Sequence, residues 1–225
     1  MEKQPNLLFS NPQILNSRSY QVTSQIFSAI SHGIGLLLAL IGTGLLISKA
    51  LHFQELNRLM AYTIYGLSMV NLYFFSTMYH ALYFTKVAPI FRFFDHCSIY
   101  FLIAGSYSPF CLIALNNSLG WLIFFIEWLI VALGLYCEIY KRHWLKKYST
   151  YIYLSMGWLA VFIVYPIIQS VSLAGLLWLL AGGLFYSLGT SFYRFDHKYV
   201  YFHTIWHLFV LLGTACQFIS IYFYV

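Results

Sequence analysis

The residues with the most chemical potential open the last apolar segment, Phe202-His203-Thr204-Ile205-Trp206-His207-Leu208. His203 and His207 are four residues apart. On a helix that spacing puts both imidazoles on one face, a turn apart, within reach of a single metal ion. From Leu208 to Val225 no charged residue follows. A second polar pair, Ser76 and His80, has the same four-residue spacing at the end of an earlier apolar run, and Asp95-His96 stands at the start of the next. His32 lies just inside the first apolar run. Ionisable groups in apolar segments are costly and mark functional sites by default. Three histidines around one ion leave the fourth tetrahedral position open, which is the pattern of a catalytic zinc. Asp95 is then placed to act as general base. Cys97, two residues on, is the residue that would instead close the site as a structural one. Ser76 has two readings: a group facing metal or substrate, or a hydroxyl bonded back to its own helix.

These residues need a scaffold, and composition specifies its class. Of the 225 residues, 61% are hydrophobic and 8% charged, against about 25% charged in a soluble domain. Mean hydropathy is +0.74. The chain reads as an all-α integral membrane protein. Seven apolar segments, at about 27–50, 59–84, 96–115, 119–140, 151–168, 171–193 and 202–225, are each long enough to cross a bilayer core of about 30 Å. Before them, residues 1–25 read as a polar N-terminal arm without a signal-peptide pattern; residues 26–225 form the transmembrane domain.

The net charge of +6 does not point to nucleic acid, because the basic residues occupy short loops between apolar runs. Numbering sides alternately from the N-terminus, one side holds Lys3, Arg18, Lys86, Arg92, Lys141, Arg142, Lys146, Lys147, Arg194 and Lys198, and the other only Lys49 and Arg58. The positive-inside rule then puts the N-terminus in the cytoplasm and the C-terminus outside. On this topology His32, His80, Asp95, His96, His203 and His207 share one depth, in the cytoplasmic leaflet.

Other polar groups carry less. His52, His143 and His197 read as solvated loop residues. Glu127, inside the fourth segment, either pairs with a polar group such as Asn71 or faces a water-filled pocket. Glu138 is expected to reach the headgroups or Lys141. The basic run 141–147 suits anionic headgroups. Gly33, Gly35, Gly42 and Gly44, with Gly182, Gly183 and Gly189, suit close helix packing. The four cysteines, Cys97, Cys111, Cys137 and Cys216, have no paired spacing and read as small hydrophobes.

Four stretches resemble the hemolysin III branch of the progestin and adipoQ receptor family: Ala29–Gly35, Ser76–His80, Asp95–Phe110 and His203–Gly213. They occur in family order over nearly the whole chain. The resemblance implies seven helices with an inward N-terminus. It also implies zinc held by His80, His203 and His207, with Asp95 holding the water and Ser76 lining the site. The family is grouped in a proposed superfamily of membrane hydrolases that includes alkaline ceramidases. The expected function is therefore a zinc-dependent hydrolase of lipid amides, ceramide-like, in the bacterial cytoplasmic membrane and in membrane lipid homeostasis. A membrane lipid is the expected substrate or ligand. The alternative is a non-enzymatic membrane-fluidity sensor or receptor with structural zinc; a cytolytic pore ranks last, because the polar residues concentrate at one end. The family usually carries acidic residues and an Asn before the first His motif, where Ser24, Gln25 and Ser28 stand. It often has a further His about where Gln217 stands. Neither departure touches the three ligand positions.

Overall fold

In an apolar medium the backbone can satisfy its N–H and C=O groups only internally, so long uncharged runs become helices. The computed structural model describes residues 12–140 and 142–225, and in them every regular element is helical. After a single turn, α1 (Pro12–Leu15), come α2 (Arg18–Phe53), α3 (Leu56–Ala81), α4 (Ala88–Pro109), α5 (Ser118–Tyr140), α6 (Arg142–Trp158), the short α7 (Val164–Ser170), α8 (Leu173–Arg194) and α9 (Phe202–Tyr224). Each long helix packs on its sequence neighbour, α6 packs on α8, and α9 returns against α2, closing a ring. Lys3, Lys141 and the start of the arm lie outside the described residues, as do the side chains of Arg142, His143, Lys146 and Lys147.

Helix limits differ from the apolar limits where capping chemistry decides. Ser17 caps α2, its Oγ accepting from Tyr20 N–H at 3.3 Å. The last third of the expected arm is therefore the first two turns of a 36-residue helix. At about 1.5 Å per residue α2 is far longer than a bilayer core is thick. Pro89 falls in the first turn of α4, where its missing N–H costs nothing. Asp95 and His96 therefore lie two turns inside that helix rather than at its start.

Prolines also set the breaks. Beyond Pro109 the helix continues as a π segment, Phe110–Leu115, and ends at Asn116 with φ of 43°. Upstream of Pro166 the chain passes through a 3-10 segment, Leu159–Ile163, before α7. A proline removes one N–H and crowds the preceding turn, so the hydrogen-bond register shifts. Tyr107 repairs the second break from α4. Its hydroxyl accepts from Ala160 N–H at 2.7 Å and lies 2.8 Å from Met156 O and 2.9 Å from Gly157 O.

Among the described residues, six helical stretches are long and apolar enough to cross a membrane. The helix α3 is not among them, although its 26 residues give sufficient length. Its tyrosines, serines and His80 lower its hydropathy, and they are affordable because α3 is packed between α2 and α4. Tyr62, Tyr65, Tyr73, Ser68, Ser76 and His80 are all buried.

Close helix contacts rest on some of the expected glycines and not others. A methyl group on Gly35 would meet the Tyr73 ring and Leu211, one on Gly42 the Phe218 ring, and one on Gly189 Trp206 and Phe209. Gly182 is closed off by Gln217 and the Gly213 carbonyl. Gly44 and Gly183 face open space, and Gly33 has only an ordinary contact with Thr77, so these three do not set a close approach.

Candidate metal centre

His80 is on the last turn of α3; His203 and His207 are on the first two turns of α9. Tyr201, just before α9, has φ of 61°, a left-handed conformation that costs a side-chain-bearing residue about 1–2 kcal/mol. Its N–H donates to Tyr20 Oη at 3.1 Å, and its ring packs edge-on to Tyr20 at 5.3 Å. This turn aims the start of α9 at the end of α3.

One potential ligand atom from each of His80, His203 and His207 lies within 4.8 Å of the others. Among the described residues they are the one group of three or more His, Cys, Asp or Glu that meets such spacing. His80 and His207 are buried, His203 partly so. Two observations fit a metal. His80 Nδ1 donates to Gln25 Oε1 at 2.5 Å, and His203 Nδ1 donates to Asp196 Oδ2 at 3.0 Å. A ligating histidine commonly engages its outer nitrogen in this way. The inner nitrogen of His80, Nε2, is buried and has no hydrogen-bond partner. A buried polar atom left unpaired costs about 1–3 kcal/mol, and an ion would remove that cost.

The other candidates gather beside the triad. His32 lies against His207, ring centroids 3.8 Å apart, and its Nδ1 is 2.7 Å from Ser76 Oγ. Asp95 lies beside Ser76 in the same space. Ser76 is therefore not bonded back to its own helix; Thr77 is, to Tyr73 O at 2.6 Å. A hydroxyl has one proton, so if Asp95 accepts it, Ser76 Oγ accepts from His32 Nδ1–H. His96 lines the same space as Asp95, whereas Cys97 is buried outside it.

These groups occupy one end of a cavity of about 560 Å³. Gln25, Ser76, His80, Asp95, His203 and His207 line that end. Further along, the wall is Leu102, Phe110, Ile167, Leu176 and Val210. Gln217 lies deep in this apolar part, ten residues beyond His207, or about 15 Å along the helix. Its Nε2 donates to Leu179 O at 3.3 Å. Gln217 is thus too far from the triad to be a ligand.

Several remaining expectations need correction. Glu127 is fully buried on α5, and neither carboxyl oxygen has a hydrogen-bond partner, so it does not pair with Asn71. Glu138 is buried near Tyr100 and Tyr153 rather than extended to the headgroups, and its other expected partner, Lys141, lies outside the described residues. His52 is exposed but sits in the last turn of α2 rather than in a loop, whereas His197 is an exposed turn residue between α8 and α9. Sequence reasoning treated Gln25 only as a departure from a family pattern and missed Asp196. A signal existed for Gln25: it precedes His32 by seven residues, two helical turns, and so shares its face.

A helical membrane scaffold with a histidine cluster at one end of an internal cavity defines a class, and sequence comparison narrows it. The Haemolysin-III related family model matches residues 20–218. "Hemolysin-3" of Bacillus cereus is 40% identical over 204 residues, covering 91% of this chain and 93% of that protein. "Hemolysin-3 homolog" of Bacillus subtilis (strain 168) is 38% identical over 208 residues, covering 91% and 96%. The human "Monocyte to macrophage differentiation factor" is 33% identical over 171 residues, covering 72% and 68%. The chain belongs to the haemolysin-III-related family, within the wider progestin and adipoQ receptor group.

Proposed function

We propose that this chain is a zinc-binding hydrolase of the bacterial cytoplasmic membrane that cleaves the amide bond of a ceramide-like or other N-acyl lipid, in the service of membrane lipid homeostasis. It crosses the membrane seven times, α3 included, with its N-terminus in the cytoplasm and its C-terminus outside. The observation that carries the reading is the convergence of His80, His203 and His207, from two distant helices, at the polar end of a cavity that is apolar beyond them. A polar head and an apolar tail fit such a space together. The basic bias of ten to two supports an orientation with the histidine end at the inner leaflet.

Zinc in this site would act as a Lewis acid towards the scissile carbonyl and make water more acidic. His80, His203 and His207 would hold it. Asp95 takes a proton from the attacking water as a new C–O bond forms. It returns the proton to the nitrogen as the C–N bond breaks, yielding a carboxylic acid and an amine. Ser76, fixed by His32, holds the Asp95 carboxylate in line. The apolar wall keeps bulk water away from the acyl chain.

The test is elemental analysis of the detergent-purified protein beside a His203→Ala, His207→Ala double variant, followed by turnover assays on lipid amides. About one zinc per chain, lost in the variant, together with release of fatty acid from an N-acyl lipid, supports the reading. Zinc without turnover of any lipid amide would favour the sensor or receptor reading, in which the ion only ties α3 to α9. Absence of metal from the wild type would refute both.

A further inference from the structure

The inference lies on the outer faces of two histidines and rests on the metal reading above. His80 and His203 each donate Nδ1–H to an oxygen, of Gln25 at 2.5 Å and of Asp196 at 3.0 Å. An imidazole with its proton held on Nδ1 presents the lone pair of Nε2 to the site. The orientation of the Gln25 amide is therefore decisive. Turned over, its NH₂ would donate to His80 Nδ1 and push the proton onto Nε2, which could then hold no metal.

The two partners differ in charge. The Asp196 carboxylate draws strongly on the Nδ1–H bond and makes His203 a better electron donor. A neutral amide does the same more weakly. Their anchorage also differs. Gln25 is two turns into α2, while Asp196 is in the connection between α8 and α9. Ser24 and Ser28, beside Gln25 on α2, each lie 3.5 Å from Thr204 Oγ1 of α9. The Gln25 side chain is thus held against both ligand-bearing helices.

We infer that Gln25 and Asp196 are the positioning residues of the metal centre, and that the neutral Gln25 makes His80 the more weakly held ligand, so that α2 sets the affinity for the ion. The stretch that departs from the family pattern before the first His motif then has a function here: it tunes the metal site from outside.

The experiment measures Zn²⁺ affinity of the full-length protein in detergent, by competition with a chromophoric chelator, and thermal melting of the metal-free form. Gln25→Leu should weaken zinc binding by about 10–100-fold. Asp196→Asn should weaken it as well. Gln25→Glu should bind zinc more tightly than the wild type. A merely structural role would not raise affinity in Gln25→Glu. Zinc affinity of Gln25→Leu within twofold of the wild type would overturn the inference. So would equal or weaker binding by Gln25→Glu, the variant that decides if Gln25→Leu does not fold. A wild type that binds no zinc would overturn the metal reading itself, and this inference with it.

Discussion

Replacing Gly35 with alanine should loosen the bundle beside the histidine cluster, and replacing Gly44 should not. The two glycines are nine residues apart on α2. A Cβ on Gly35 would lie 2.6 and 2.7 Å from two Tyr73 ring atoms on α3 and 2.8 Å from Leu211 Cδ2 on α9. Carbon atoms pack best at about 3.5–4.0 Å, so the added methyl is roughly 1 Å too close on two sides at once. Tyr73 cannot easily step aside. Its hydroxyl donates to Thr214 Oγ1 at 2.8 Å, and its ring meets His32 edge-on at 5.1 Å. The helices must separate, at an overpacking cost of about 1–3 kcal/mol. At about 2–4 °C per kcal/mol for a chain of this size, Gly35→Ala should melt roughly 2–12 °C lower. Because Gly35 is one turn from His32, zinc affinity should fall too. Gly44 meets nothing within 4 Å, so Gly44→Ala gains helix propensity of about 0.5–1 kcal/mol and should melt at or above the wild type. Thermal melting of both purified variants in one detergent decides the matter. Equal melting of the two, or a lower value for Gly44→Ala, would refute the packing argument.

Zinc at one thousand times its Kd should stabilise the metal-free protein by about 4 kcal/mol; a melting shift of the same size in His207→Ala would count against the triad. Acidification should weaken zinc binding, since each ligating imidazole must be free of its second proton; chelator competition at two pH values reads this directly. Asp95→Asn should keep the metal yet lose about 10²–10⁴-fold in lipid-amide turnover, and full turnover in that variant would remove Asp95 from the mechanism. Tyr107→Phe should cost about 1–3 kcal/mol by leaving the Ala160 N–H unpaired at the break after α6; hydrogen exchange at Ala160, faster in the variant, would verify it.

The sequence by itself determined the membrane class, because hydropathy and helix length are local properties. It also marked which residues were worth following, since a histidine in an apolar run is anomalous wherever the run ends up. Tertiary structure decided which of the marked residues meet. Rotation of each helix about its axis, and its depth against its neighbours, are set by packing such as that of Gly35 on Tyr73 and Gly189 on Trp206. That packing brought His80 to His203 and His207, put His32 on Ser76, and left Glu127 without a partner. It also accounts for the lower hydropathy of α3, whose polar side chains are buried between α2 and α4. Gln25 shared a helix face with His32 and could have been followed, but Asp196, the partner of His203, was beyond sequence reasoning for the same reason. Nothing in a loop carboxylate announces its role until a ring nitrogen is found within hydrogen-bond distance of it.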